Sequence, residues 1–254
     1  MDIEKLVNIV RETDKIFFDE KLRGDVKEKG QFDFVTRADI GISDYLHARL
    51  KDEFPQIGFM SEEEKVSDLA NGEFWILDPI DGTTNFMHQI DPSAVSLGLC
   101  SAGEIVAGVI YIPSKNEMFS ATKGKGAFLN GKPIKVSENS NLLNSLAAIE
   151  LNVYFKNDVD SAMDHARKIY LNCQDVRVYG CAAASIAYVA CGKLDVFLGR
   201  YLKPWDYAAG LCIVKEAGGR VGDLSGKIDI QTLNRHILAT NGFVYNEFEK
   251  LIKE

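Results

Sequence analysis

Asp78 and Asp81 stand three residues apart at the end of an apolar run, WILDPIDGTTNF (75–86). An aspartate directly after Trp-Ile-Leu is costly to bury unless something pairs with it. Pro79 fixes the backbone between the two acids. Gly82 permits a tight turn and the close approach of a ligand. Thr83-Thr84-Asn85 then opens a helix, whose first N–H groups and positive dipole end form a natural phosphate seat. Carboxylate oxygens suit Mg2+, which prefers octahedral oxygen ligands at about 2.0–2.1 Å. Two such ions, about 3.5–4 Å apart, clamp an in-line phosphoryl displacement, one activating water and the other stabilising the leaving oxygen. Thr83 or Thr84 is placed to orient that water. The plainer reading makes Asp81 a helix cap and Asp78 a strand end; it accounts for one aspartate better than for the whole string.

Other acids share this layout. MSEEEK (60–65) follows a short apolar run, so Glu62 or Glu63 can project from a strand end, although three glutamates in a row also read as a solvated loop. FVTRAD (34–39) ends in Asp39, whose plain alternative is a cap for a helix over 40–54. KPWDYAAG (203–210) sets Asp206 after a rigid Pro-Trp and before an apolar helix. Capping there does not exclude a metal role.

The elements that must position these acids are legible from periodicity. Ile3, Leu6, Val7 and Val10 follow a helical period, as do Ile42, Tyr45, Leu46 and Leu50 in a helix that Pro55 stops. IGFM (57–60) and FWILDPI (74–80) read as strands. VSLGLCS (95–101), EIVAGVIYI (104–112), EMFSAT (117–122) and GAFLN (126–130), divided by turn signals, predict an antiparallel meander. After it come a strand at 146–151, a helix at 162–170, and a helix at 183–192 ending in a glycine cap. A strand at 194–198, a helix at 206–219, a strand at 236–242 and a closing helix complete the chain. This alternation predicts a layered α/β or α+β domain in two halves, with the boundary near Ser137–Asn144: a metal-binding α+β half over about 1–140 and a smaller α/β half over about 141–254.

The totals bound the function. The 254 residues fit one large domain. A net charge of -8 disfavours a nucleic-acid backbone or an anionic membrane as the main partner. It does not exclude a phosphorylated substrate, because bound cations reverse the local sign. No apolar run reaches the roughly 18 residues of a membrane span, and the charged N-terminus lacks a signal-peptide core, so a cytoplasmic protein is expected. Five scattered cysteines read as buried free thiols, and the four isolated histidines give no zinc spacing.

Together, VTRAD (35–39), SEEE (61–64), WILDPIDGTTNF (75–86), GCAAASIAYVACGKLD (180–195), KPWDYAAG (203–210) and EAGG (216–219) resemble the inositol monophosphatase family, within the wider lithium-sensitive, Mg2+-dependent phosphatase superfamily. The combination of WxxDPxDGTxNF with a downstream WDxAAG is highly specific, and the matches span most of the chain in family order. The resemblance implies a layered αβαβα sandwich of the inositol monophosphatase and fructose-1,6-bisphosphatase type, usually a homodimer. It implies hydrolysis of a small phosphorylated alcohol by metal-activated water, without a phosphoenzyme. Carried over by position, Glu62, Asp78 and the carbonyl of Ile80 hold a first Mg2+, and Asp78, Asp81 and Asp206 a second, with a third, weaker ion near Glu62. Asp39 and Thr83 pair to position and deprotonate the water. The N–H groups of Gly82 and Thr83 hold phosphate beside Asp81 and Asp206, while Gly180, Cys181 and Ala182 border the alcohol.

Three departures bear on the substrate. Ser61 precedes Glu62-Glu63 where the family has glycine, and Cys181 takes the place of a threonine. Gly199 stands where many inositol phosphatases carry a glutamate that contacts inositol hydroxyls, and Arg200 follows it. Arg200 is read either as a contact for a second phosphate, as in fructose 1,6-bisphosphate or NADP, or as a solvated surface arginine. The basic loop VKEKG (26–30) is expected to cover the metal site, with Lys29 near the acids. Three functions follow: an inositol-phosphate-type phosphatase; a fructose-1,6-bisphosphatase or broad sugar and nucleotide phosphatase of the same fold; or a regulatory protein that binds metal or ligand without turnover.

Overall fold

The computed structural model of the chain describes residues 2–63, 72–228, 230 and 232–254. Glu64 and Lys65 of the acidic run lie outside them.

A hairpin of β1 (Val26–Gly30) and β2 (Asp33–Thr36) follows three short helices, α1 (Ile3–Arg11), α2 (Asp14–Phe17) and α3 (Glu20–Gly24), and leads into α4 (Arg37–Glu53). The first large sheet runs in chain order: β3 (Gly58–Ser61), β4 (Glu73–Asp81), β5 (Ala94–Ser101), β6 (Glu104–Ile112), β7 (Glu117–Thr122), β8 (Ala127–Leu129) and β9 (Lys132–Ile134). Helix α5 (Thr83–His88) leaves the end of β4. The pair β3–β4 is parallel; from β4 to β9 the strands form the antiparallel meander that the turn spacing predicts. The second sheet contains β10 (Leu146–Glu150), β11 (Asp175–Arg177), β12 (Val196–Leu202), β13 (Arg220–Asp223) and β14 (Arg235–Thr240), in the order β11-β10-β12-β14-β13. Helices α6 (Val159–Asn172), α7 (Ala182–Ala190), α8 (Pro204–Glu216) and α9 (Tyr245–Lys253) complete the fold.

Side-chain alternation builds the layers, because successive residues of a strand face opposite sides of a sheet. In β4, Trp75 and Leu77 pack with Leu6, Ile42, Leu46 and Leu50 of α1 and α4. Phe74 and Ile76 face the other way, into a core shared with α7, α8 and the second sheet. In β12, Phe197 joins that middle core, whereas Val196 and Leu198 turn outward to Ile169 of α6 and Phe248 of α9. The layers therefore run helix, sheet, helix, sheet, helix: an αβαβα sandwich. Helices α7 and α8, buried all round over Ala182–Ala190 and Tyr207–Val214, are the middle layer. Gly192, with a φ of 73°, follows the C-cap of α7 as the sequence predicts.

Glycines set how closely α8 approaches the first sheet. A Cβ on Gly108 of β6 would lie 2.4 Å from the carbonyl oxygen of Ala209. This near-touching contact fixes the position of α8, and with it Asp206 in the helix's first turn. VKEKG is an exposed strand rather than a loop, because it pairs with DFVT of β2.

Candidate active site

Asp78 occupies the same face of β4 as Phe74 and Ile76, so its carboxylate enters the middle layer at the sheet's edge. The ladder register shifts between Asp78 and Asp81, which brings Asp81 toward α7. Asp81 accepts hydrogen bonds from the Ala183 N–H at 2.5 Å and the Cys181 thiol at 3.1 Å. Asp206, in the first turn of α8, accepts from the Lys203 N–H at 2.8 Å. Glu62 follows β3, its N–H donating to the carbonyl of Leu77 at 3.2 Å. Four acids from distant parts of the chain thus reach one cavity of about 300 Å3, together with Ile80, Gly82, Thr83, Gly180 and Ala182. Cys181 is fully buried behind that wall.

Asp39 has two tasks. It lies in the first turn of α4, where its Oδ2 accepts from the N–H and hydroxyl of Thr36, closing a capping box. Its Oδ1 lies 3.3 Å from the Thr83 hydroxyl, which is also 3.0 Å from the carbonyl of Ile80. One hydroxyl proton serves one acceptor at a time, so Thr83 can switch between them. The capping reading of Asp39 and its proximity to the site hold together.

Gly82 satisfies two demands at once. Its φ is 83°, and a Cβ there would sit 3.0 Å from the carbonyl oxygen of Gly180 and 3.2 Å from that of Pro92. Asn85 holds the neighbouring loop by donating to the carbonyls of Pro92 at 2.8 Å and Tyr179 at 2.7 Å. Helix α5 spans only six residues. It therefore offers its free N–H groups more than a dipole.

The electrostatics are those of too many acids in one dry place. Burial, then the charges of Glu62, Asp81, Asp206 and Asp39, push the Asp78 carboxyl well above the ordinary range. Burial and the charges of Asp81 and Glu62 do the same to Asp206. Burial raises Asp81 to about 6 against the pull of the Ala183 N–H and the Cys181 thiol, and raises Asp39 to about 7 against its bonds to Thr36. Burial also raises Glu62, and the Lys29 charge counters it. Lys29, on β1, lies 2.8 Å from Glu63 and 3.6 Å from Glu62; burial pulls its amine down, but these acids lift it to about 12.

A cation answers this imbalance. Asp78 Oδ1 is buried with no hydrogen-bond donor, and the donors facing the cavity are carboxylates and a carbonyl, the ligand chemistry of Mg2+. Among the described residues, no three or more His, Cys, Asp or Glu side chains already form a closed metal-binding cluster. The fit therefore rests on the unpartnered oxygen and the donor chemistry.

Arg200 is not on the cavity wall. It is buried under α6, where it pairs with Asp158 and bonds the Ser161 hydroxyl at 3.1 Å and His165 Nδ1 at 2.5 Å. Neither a second-phosphate contact nor a solvated surface arginine describes it. Lining residues that the sequence reading did not single out include Phe32, Phe34, Glu150, Asn152 and Trp205. The two phenylalanines carried a faint signal, as apolar residues beside an expected metal-site loop.

The layered sandwich and its acid-walled, oxygen-rich cavity define a phosphoric monoester hydrolase. The chain belongs to the inositol monophosphatase family, whose model matches residues 4–254. It is 39% identical over 235 residues to inositol monophosphatase 3 of Solanum lycopersicum, covering 90% of this chain and 87% of that protein. It is 36% identical over 228 residues to the fructose-1,6-bisphosphatase/inositol-1-monophosphatase of Thermotoga maritima, covering 90% and 86%. Among solved structures, the extragenic suppressor protein suhB from Bartonella henselae superposes with a TM-score of 0.90 at 33% identity, over 98% of this chain and 97% of that one. Among the described residues, no helix is long and apolar enough to cross a membrane.

Proposed function

We propose that this phosphatase hydrolyses phosphomonoesters of small polyhydroxylated alcohols, inositol monophosphate among them, with Mg2+ as its metal. The observation that carries the reading is the convergence of Glu62, Asp78, Asp81 and Asp206 on one cavity, with an Asp78 oxygen left unpartnered. Glu62, Asp78 and the Ile80 carbonyl would hold one ion, Asp78, Asp81 and Asp206 a second, and the Glu62 side a weaker third. When bound, the metals supply charge neutralisation and an acidified water. Asp39, whose Oδ1 lies 3.3 Å from the Thr83 hydroxyl, would accept the proton of that water through Thr83. The N–H groups of Gly82 and Thr83 orient the phosphate, and Gly180 and Ala182 border the alcohol, while Cys181, buried behind them, supports Asp81 through its thiol instead of touching the substrate. The family resemblance further supports a homodimer.

A second reading, hydrolysis of fructose 1,6-bisphosphate or a broader sugar and nucleotide range, is favoured by the dual name of the Thermotoga relative and by Gly199. Phosphate release from inositol 1-phosphate, fructose 1,6-bisphosphate and NADP, with Mg2+ and again in EDTA, tests both. Release that requires Mg2+ and is strongest with inositol 1-phosphate supports the first; strongest release from the bisphosphate supports the second. No release from any of them, with metal present, overturns both in favour of a non-catalytic binding protein.

A further inference from the structure

Glu150 ends β10 and lines the cavity, yet the acids that account for metal binding leave it without a task. Its carboxylate is held by the N–H groups of Leu151 and Asn152 and feels the charge of Asp81. Its Oε2 is shielded and has no hydrogen-bond partner. A shielded acceptor without a donor is destabilising, and such groups persist where a ligand completes them.

The strand geometry singles out this acid. Across the β10–β12 ladder, Glu150 pairs with Gly199. A side chain at 199 would begin only 2.3 Å from Leu202 Cδ1, so Leu202, itself a cavity residue, occupies that space. On this part of the wall the carboxylate therefore comes from β10. Asn152, two residues on, donates to the Tyr201 carbonyl at 3.0 Å and ties the exit of β10 to β12. Glu150 thus stands on a braced edge beside the acids expected to hold the phosphate end.

We propose that Glu150 binds substrate, its Oε2 pairing with a hydroxyl on a carbon close to the phosphoester, so that the site selects polyhydroxylated phosphomonoesters over esters lacking that hydroxyl. The proposal rests on the phosphatase reading above. A site built to hydrogen-bond a substrate hydroxyl discriminates strongly against analogues without it.

The test compares myo-inositol 1-phosphate and fructose 1,6-bisphosphate with p-nitrophenyl phosphate, which has no hydroxyl, using Mg2+-loaded wild type, Glu150→Gln and Glu150→Asp. The quantity read is the ratio of kcat/KM for each polyol ester to that for the aryl ester. Both substrate types use the same metals and phosphate seat, so damage there cancels in the ratio. Glu150→Gln should lower the ratio about 10–100-fold, and Glu150→Asp should recover part of it. A ratio unchanged in Glu150→Gln, whatever the loss in absolute rate, overturns the assignment while leaving the phosphatase reading standing. No hydrolysis by wild type of any of the three esters overturns the phosphatase reading, and this proposal with it.

Discussion

Replacing Asp39 by Asn separates the electrostatic cost of the site from its chemistry. Asp39 is 2% exposed, and the isosteric amide keeps the bonds that Thr36 donates while offering an N–H toward Thr83. Burial lifts the Asp39 carboxyl from 3.8 to about 7. Between those values the folded state binds more protons than the unfolded one, so stability falls as pH rises toward 7 and levels off above it. At 1.36 kcal/mol per unit, the penalty above pH 7 is about 4 kcal/mol, of which roughly 3 kcal/mol accrues between pH 5 and 7. Asn is neutral at every pH and escapes it. In EDTA, thermal melts should show Asp39→Asn gaining on wild type by about 5–10 °C more at pH 8 than at pH 5, at roughly 2–4 °C per kcal/mol for a chain of this size. With Mg2+, the same variant should lose at least about 100-fold in kcat, the contribution of a positioned general base. A stability difference that does not grow between pH 5 and pH 8 would refute the idea that a buried, reluctant carboxylate sits there.

Asp78→Asn should abolish turnover, leave the fold intact and remove the rise in Tm that Mg2+ gives wild type, as melts with and without metal will report. In metal-free wild type, Asp39, Asp81 and Glu150, raised to about 7, about 6 and about 8, each bind extra protons in the folded state. Denaturant titrations in EDTA should therefore show stability declining from pH 4 to pH 8, with Mg2+ restoring it at pH 8. Gly108→Ala places a Cβ 2.4 Å from a backbone carbonyl of α8; a loss of roughly 1–3 kcal/mol and a fall in kcat are expected as Asp206 shifts. Arg200→Ala, which removes a buried side chain but leaves Asp158 the hydrogen bond donated by the Tyr201 hydroxyl, should cost about 1–3 kcal/mol in urea titrations without changing the preference between fructose 1,6-bisphosphate and monophosphates.

Strong periodicity made the layered fold legible. The unbroken apolar run FWIL marked β4 as a buried strand, and the apolar-faced segments 183–192 and 206–219 marked the middle-layer helices. Asp39, Glu62, Asp78 and Asp81 were legible because they lie at or just past the end of apolar runs, where a charge demands a reason, and Asp206 because it follows a rigid Pro-Trp at the start of an apolar helix. The exposed VKEKG carries no period, so only its pairing with DFVT makes it a strand. The short DVR and RVGD strands depend on neighbours in the sheet. Arg200 misled because its partner, Asp158, is remote in sequence and lies outside the pocket. Glu150 looked like an ordinary polar strand end in LAAIEL; its shielded oxygen is visible only in three dimensions. The glycines at 98 and 108 looked incidental until α8 was seen to lie against them.

Anomalous diffraction from crystals grown with Mn2+ in place of Mg2+, together with phosphate, tests the convergence of acids most directly. The expected result is at least two manganese peaks bridged by Asp78, within coordination distance of Glu62, the Ile80 carbonyl, Asp81 and Asp206, with phosphate against Gly82 and Thr83. Manganese bound elsewhere, or none at these oxygens in crystals of enzyme active with Mn2+, would contradict it.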